Sequence, residues 1–137
     1  MRVSYVRLYC DPGGASHFED LETELESRDF APPAAPAKVA PFLDGSATLF
    51  FAASPEWDGA VPHPAPQRQI FLVMRGAVRV TASDGEERVL AVGDLLLLDD
   101  THGEGHGSAV VGGDDLVLFG VALADQTPAI GPSAPTG

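Results

Sequence analysis

The stretch that decides the fold runs His63-Pro-Ala-Pro-Gln-Arg-Gln-Ile-Phe-Leu-Val-Met-Arg-Gly76. If it forms one extended strand, alternate side chains project to the same face. That face then carries, in order, His63, Ala65, Gln67, Gln69, Phe71 and Val73. Buried amides need hydrogen-bond partners, so this mixture of polar and apolar groups does not suit a plain hydrophobic core. We therefore predict a strand over residues 63–74 that forms one wall of a ligand pocket.

The opposite face of the same strand is apolar, since it carries Ile70, Leu72 and Met74. A surface sheet that is apolar on both sides must be covered on its outer side. The cover would come either from the N-terminal strand or from a second copy of the chain. We favour the second copy and predict a homodimer.

Composition narrows the class of protein and its partners. The chain has 137 residues, enough for one domain, and a net charge of -12 from 20 acidic and 8 basic residues. This charge disfavours nucleic acid and anionic membranes as partners. The single cysteine, Cys10, excludes an intramolecular disulfide and a cysteine-based zinc site. Neither a signal peptide nor a stretch of transmembrane length is visible, so we expect a cytoplasmic protein.

Short strands separated by turn signals account for most of the remaining chain. They are predicted at residues 3–10, 46–53, 77–82, 87–90, 95–98, 108–111 and 116–123. The Ala- and Pro-rich residues 30–41 are expected to form an irregular connector. About eight short strands with at most one helix indicate an all-β sandwich or barrel. We predict one domain over residues 1–123 and a flexible, disordered tail over residues 124–137.

Residues 16–27 admit two interpretations. The segment from Ser16 to Glu19 fits a capping box, and Phe18, Leu21 and Leu25 share one face of a helix, which favours a short helix over residues 17–27. The same residues could instead form an extended arm.

The order of these elements resembles the two-motif core of the cupin superfamily, and this resemblance implies a jelly-roll β-barrel. Its first motif needs two histidines, a glutamate and a terminal glycine. With Gly76 in the glycine position, His63 takes the first histidine position, Ala65 the second and Gln69 that of the glutamate. Two of the four metal ligands expected in the family are thus replaced. The second motif begins at Gly93-Asp94.

The histidine of the second motif has two candidates in this sequence. Strict counting selects Glu104, whereas a loop two residues longer selects His106. The chain also resembles a group of small single-domain bacterial cupins of unassigned function. That narrower resemblance rests on the segments Ser16-His-Phe-Glu-Asp20, His63-Pro-Ala-Pro66, Arg68-Gln69, and Asp100-Thr101 through Gly105-His106. It favours His106 over Glu104, and an extended arm over the helix at residues 16–25.

The resemblance also raises the question of a cofactor. Cupins commonly hold a divalent metal with three histidines and a glutamate, a set that this chain does not supply. We expect either no cofactor or a weakly held divalent ion, Zn before others, on His63, Gln69 and His106. Without a metal, His63 and His106 are candidate catalytic acid and base, because imidazole exchanges protons near neutral pH.

These observations predict a small-molecule enzyme of the cupin fold that performs acid–base chemistry on an organic substrate. A cyclase, isomerase or dehydratase-type lyase of specialised biosynthesis fits best. We expect substrate contacts from Gln67, Gln69, Phe71 and Asp100. The alternatives are a non-catalytic cupin that binds a small ligand, or a metal-dependent dioxygenase with a reduced ligand set.

Overall fold

The computed structural model describes residues 1–40 and 43–124. Within these ranges the chain forms strands and no helix, and nothing in them is long and apolar enough to be a membrane-spanning helix. The strands are β1 (Arg2–Cys10), β2 (Ser16–Glu24), β3 (Glu26–Arg28), β4 (Ala37–Val39), β5 (Gly45–Ala53), β6 (Gly59–His63), β7 (Gln69–Arg75), β8 (Ala77–Ala82), β9 (Glu87–Ala91), β10 (Leu95–Asp99), β11 (His106–Val111) and β12 (Leu116–Leu123).

Two sheets form the body of the molecule. A six-stranded sheet has the order β2-β1-β10-β7-β12-β5, and a four-stranded sheet has the order β6-β11-β8-β9. Neighbours pair antiparallel in both, except for the parallel pair β1 and β10. The short strands β3 and β4 pair separately. This is the all-β jelly-roll arrangement of two sheets that the sequence predicts.

The core lies between the two sheets. Phe71, Leu96 and Leu98 of the six-stranded sheet share one buried cluster with Val80 and Leu90 of the four-stranded sheet. A second cluster, with Tyr5, Leu21, Ile70, Leu97 and Leu123, is formed by the alternate residues of the large sheet. The period of two along each strand separates these clusters onto opposite faces.

The helix predicted over residues 17–27 is wrong, and the alternative extended arm is confirmed. Residues 16–24 form β2, which pairs with β1 along its whole length. Ser16 does not cap a helix: its hydroxyl donates to the carbonyl of Gly105 at 2.6 Å and accepts from the amide of Ser83 at 2.7 Å. Tertiary partners therefore override the local capping pattern.

The single strand predicted over residues 63–74 is also wrong. It divides into β6, which ends at His63, and β7, which begins at Gln69, and the two belong to different sheets. The break contains Pro64 and Pro66, which lack the N–H groups that a ladder needs. His63 and Gln69 therefore approach the interior from opposite sheets.

The other sequence predictions have different outcomes. The strands predicted from residue 77 onward are confirmed, and β8 pairs with β9 as a hairpin, whereas the turn at Gly76 leads from β7 into the other sheet. The connector predicted over residues 30–41 is largely irregular over its described residues, although β4 lies within it. The N-terminal strand does not cover β7, because β1 joins the same sheet instead. The tail predicted over residues 124–137 lies outside the described residues, apart from Ala124.

Candidate functional site

A cavity of about 280 Å³ opens between the two sheets. Its walls are mainly apolar, and they bring together side chains from both sheets and from the loops that join them. The lining residues are Leu49, Phe51, Trp57, His63, Ala65, Pro66, Gln69, Phe71, Val73, Val78, Val80, Leu90, Leu96, Leu98, His106, Ser108, Leu116 and Leu118. A few polar groups in a concave apolar surface are typical of a small-molecule site.

His106 begins β11 and is only 5% exposed. Its Nδ1 lies 2.6 Å from Oδ2 of Asp100, and this pair is buried. An ionised carboxylate only accepts hydrogen bonds, so Nδ1 of His106 carries the proton and donates it. The neutral imidazole then has its lone pair on Nε2. This arrangement defines a histidine that is oriented by a buried acid.

His63 ends β6 and has an exposed side chain. Its Nδ1 lies 2.9 Å from the backbone carbonyl of Val61. A carbonyl oxygen accepts only, so Nδ1 is again the donor and Nε2 carries the lone pair of the neutral ring. The backbone interaction therefore selects the same tautomer at His63 that the carboxylate selects at His106.

The two histidines are neighbours across the pair of strands β6 and β11. They are register partners, and their ring centroids are 5.0 Å apart with an angle of 52° between the planes. Gly105 makes this approach possible: its φ is +76°, and a Cβ there would overlap the backbone of His63 and Pro64. Glycine therefore satisfies both the conformation and the space at this position.

The structure distinguishes between the two candidates of the second motif. His106 lines the cavity, whereas Glu104 is exposed and its backbone amide donates to the carbonyl of Gly14 at 2.8 Å. His102 is also exposed and does not line the cavity. The longer loop, and with it His106, is the arrangement that the chain adopts.

Gln69 and Phe71 line the cavity, in agreement with the positions predicted for them. Gln67 does not: it is exposed in the loop between β6 and β7, because strand alternation does not extend through that loop. Asp100 is not a lining residue either. It is fully buried behind His106, and its backbone carbonyl accepts from the amide of Ala65 at 3.0 Å. Any contact of Asp100 with a ligand would therefore pass through His106.

Sequence reasoning missed several lining residues. Ser108 lies two positions after His106 on β11, and strand alternation from His106 identifies it. Phe51 and Trp57 form an edge-on aromatic pair with centroids 5.6 Å apart. Trp57 comes from the loop between β5 and β6, so no periodicity predicts its position.

Charge is kept out of the cavity. Among the described residues, no Asp, Glu, Lys or Arg side chain lines it. Arg68 is 5% exposed, and its Nε donates to Oδ1 of Asp99 at 3.1 Å. The other oxygen of Asp99 accepts from Arg7 at 2.8 Å. This ion-pair network gives Arg68 a structural role.

Donor atoms for a metal are few at this site. His63, His106 and Gln69 supply two imidazoles and one amide, with no lining carboxylate among the described residues. The search of residues 1–40 and 43–124 finds no group of three or more His, Cys, Asp or Glu suited to a metal. The residues present can therefore offer an ion three ligands at most, of which two are nitrogens.

Fold and cavity define a small all-β protein of two packed sheets with an apolar cavity between them. No protein-family model and no curated protein matches the chain. A solved structure from Salmonella typhimurium, described as ethanolamine utilization protein Q, is similar to it. The match has 17% identity and a TM-score of 0.41, and covers 90% of this chain and 97% of that one. At these values neither the fold nor the site of this chain is inferred from that protein.

Proposed function

We propose that this protein is an enzyme that moves a proton on a small organic substrate, with His106 as the catalytic base. The single observation that carries the proposal is the buried pair of His106 and Asp100. A carboxylate on Nδ1 keeps Nε2 ready to accept a proton and stabilises the positive charge that the ring then acquires. Asp100 is a positioning residue in this scheme.

His63 is the second proton carrier of the scheme. Its ring lies beside that of His106, and its side chain is exposed to solvent. The amide of Gln69 can donate to a substrate carbonyl and so favour charge development on its oxygen. These groups suit an isomerase, a cyclase or a dehydratase-type lyase, as the sequence predicts.

The reaction balances without an oxidant or reductant. Nε2 of His106 takes a proton from a carbon next to a carbonyl group, and the electron pair of the broken C–H bond forms the double bond of an enol. The carbonyl oxygen gains a proton from Nε2 of a protonated His63, and this transfer leaves the neutral ring with its lone pair on Nε2. If a second C=C bond is conjugated with the enol, His106 returns its proton to the far carbon, the enol gives its proton back to His63, and the product is an isomer. If the next carbon carries a hydroxyl group, that group instead leaves as water with the proton from His106, while the enol gives its proton back to His63 and the carbonyl is restored.

Proton exchange tests this function before the natural substrate is known. The probe is 2-tetralone, a neutral two-ring ketone, dissolved in D2O and followed by 1H NMR as its acidic C–H protons are replaced. We expect the wild-type protein to accelerate exchange. We expect His106→Ala to lose about 100-fold or more of that acceleration, the range of a positioned general base.

His102→Ala is the matched control, because His102 is an exposed histidine outside the cavity. It should exchange the probe like the wild type. Exchange no faster than with the same concentration of imidazole, or full exchange by His106→Ala, would remove the proposal. Binding of the probe without exchange would leave the non-catalytic ligand-binding protein as the better description.

A weakly held divalent ion is the second candidate, and one observation favours it. In each histidine Nδ1 donates a hydrogen bond to an acceptor outside the cavity. The acceptor is Asp100 for His106 and the backbone carbonyl of Val61 for His63. Histidines that bind metals are usually held in this way. His63, His106 and Gln69 would hold the ion, which would polarise a substrate carbonyl when bound.

Metal analysis of protein purified without added metal tests this candidate. Zinc near one equivalent, lost in both His63→Ala and His106→Ala, would support it. Iron at that level would instead favour the dioxygenase. Equal metal contents in the wild type and in both variants would refute a site on these histidines.

A further inference from the structure

The two histidines and Gln69 lie at one end of the cavity. β6 ends at His63, β7 begins at Gln69 and β11 begins at His106. The loops next to these residues are joined by the bond from the amide of Ala65 to the carbonyl of Asp100. Val73 lies four residues further along β7, about 13 Å from Gln69 at the rise of a strand. The cavity therefore has a polar end and an apolar end.

Both histidines present acceptors at the polar end. The tautomers set by Val61 and Asp100 leave a lone pair on each Nε2 of the neutral rings. A ligand group that meets these atoms must therefore donate a hydrogen bond. A hydroxyl group does so, whereas an ether oxygen or a carboxylate does not.

Charge on the ligand is disfavoured in the same place. No Lys or Arg side chain lines the cavity among the described residues, and the buried carboxylate of Asp100 lies behind His106. Transfer of a carboxylate from water to such a site costs free energy that no partner returns. The ligand head is therefore neutral.

The remaining walls suit a ring system. Phe51, Trp57 and Phe71 line the cavity, and the first two meet edge to face at 5.6 Å. A volume of about 280 Å³ is slightly below the range of sites for drug-sized ligands, which limits the occupant to one or two fused rings.

We infer that the cavity selects a neutral one- or two-ring molecule whose enol or phenol hydroxyl donates to the histidine pair. This inference rests on the proposed function and names its substrate class, a cyclic ketone that reacts through its enol. Preference for the enol over the ketone is what an enzyme needs, because the enol is closer to the transition state of proton transfer.

Three ligands of one ring skeleton test the inference. 2-Naphthol is neutral and donates, 2-methoxynaphthalene cannot donate, and 2-naphthoate is an anion. Calorimetry measures each affinity. The indole N–H signal of Trp57 reports on occupancy of the cavity, because the sequence contains one tryptophan. We expect 2-naphthol to bind at least ten-fold more tightly than either of the other two.

His106→Ala should remove most of the preference for 2-naphthol over 2-methoxynaphthalene, while His102→Ala should keep it. Equal affinities for these two ligands in the wild type would overturn the inference, as would tighter binding of 2-naphthoate or no binding of 2-naphthol. A ten-fold preference in a protein that does not exchange 2-tetralone keeps the ligand class and removes the enzyme. Exchange of 2-tetralone without a preference for 2-naphthol would keep the enzyme and remove the ligand class.

Discussion

In the proposed mechanism Asp100 acts on the substrate only through His106, so a variant of Asp100 distinguishes a positioning role from a binding role. Asp100→Asn keeps the shape of the side chain but replaces one acceptor oxygen by a donor. We expect at least a roughly 100-fold slower exchange of 2-tetralone. The affinity for 2-methoxynaphthalene should be unchanged, because Asp100 does not line the cavity.

The melting temperature and the ligand affinity distinguish this role from a merely structural one. Under the positioning role, Asp100→Asn slows exchange while its melting temperature and its affinity for 2-methoxynaphthalene stay those of the wild type. Slower exchange together with a lower melting temperature and weaker binding would indicate that Asp100 only stabilises the fold.

His17 joins three segments at the surface. Its Nε2 lies 2.6 Å from Asp11 and its Nδ1 2.8 Å from Asp84, so both nitrogens donate when the ring is protonated. The hydrogen bonds to Asp11 and Asp84 raise the pKa of His17, and that to His17 lowers the pKa of Asp11. Since the folded pKa of His17 lies above its unfolded value, this stabilisation is complete below about pH 6.5 and is lost as pH rises through the folded pKa.

We therefore expect the melting temperature to fall by a few degrees as pH rises above neutral. His17→Gln should lower the melting temperature at pH 6 and remove most of this fall. His102→Gln is the control, because that exposed histidine lies outside the Asp11–His17–Asp84 group. The same pH dependence in His17→Gln and in the wild type would contradict the assignment. Thermal melts followed by circular dichroism measure it.

At the scale of elements, the approach of β6 to β11 depends on Gly105. Alanine there meets the backbone of His63 and must also adopt a positive φ. We expect Gly105→Ala to lower the free energy of unfolding by more than about 2 kcal/mol, and to weaken 2-naphthol binding because His63 moves.

Gly112→Ala is the matched control for Gly105→Ala. Gly112 also has a positive φ, of +84°, but nothing lies within 4 Å of its added Cβ. Gly112→Ala should lower the free energy of unfolding by about 1–2 kcal/mol, the penalty for a positive φ alone, and should leave 2-naphthol binding intact. Denaturant titration measures the stability of the two variants, and calorimetry measures their affinity for 2-naphthol. Equal effects of both variants would show that the contact with His63 is unimportant.

The elements that sequence predicts well are those that local chemistry determines. The β8–β9 hairpin follows from Ser83-Asp-Gly-Glu86, and β10 follows from its continuous apolar run. The sequence-based prediction of secondary structure is wrong where tertiary contacts determine the conformation. Ser16 has the pattern of a helix cap, but its hydroxyl forms hydrogen bonds with Gly105 and Ser83, which are distant in sequence.

The candidate site also contains features that the local sequence predicts and features that only the tertiary structure determines. The prediction that Gln69 and Phe71 face the interior is confirmed because both lie on β7. The prediction that Gln67 contacts a substrate depends on a continuous strand, which Pro64 and Pro66 interrupt. The position of Asp100 behind His106 depends on how a polar loop folds, which no periodicity encodes.

At the scale of the molecule, the large sheet carries a row of apolar side chains that the described residues leave partly exposed. Leu95, Leu72, Phe119 and Phe50 are register partners in turn across β10, β7, β12 and β5. We call these four residues the outer apolar row. Phe50 is 71% exposed, and its ring meets that of Phe119 at 5.3 Å. Exposed apolar stripes of this kind usually mark an interaction surface.

The row ends on β5, which pairs only with β12 among the described strands. β5 contains no charged residue and no proline, so it lacks the devices that usually protect a free edge from pairing. A second copy of the chain is the partner that we propose. Two molecules that each carry a charge of -12 repel one another, and an uncharged strand with an apolar row is a surface on which they can meet.

We therefore expect the dimer predicted from the sequence to form through β5 and the outer apolar row. Phe50→Glu should weaken it at least ten-fold, because it places two more like charges at the contact without disturbing the buried core. Val89→Glu adds the same charge at an exposed apolar residue of β9, in the other sheet, and should leave the dimer intact. Light scattering coupled to size exclusion, over a wide range of protein concentration, measures the mass. A wild-type protein that stays monomeric throughout, or two variants that dissociate alike, would show that this face has no such role.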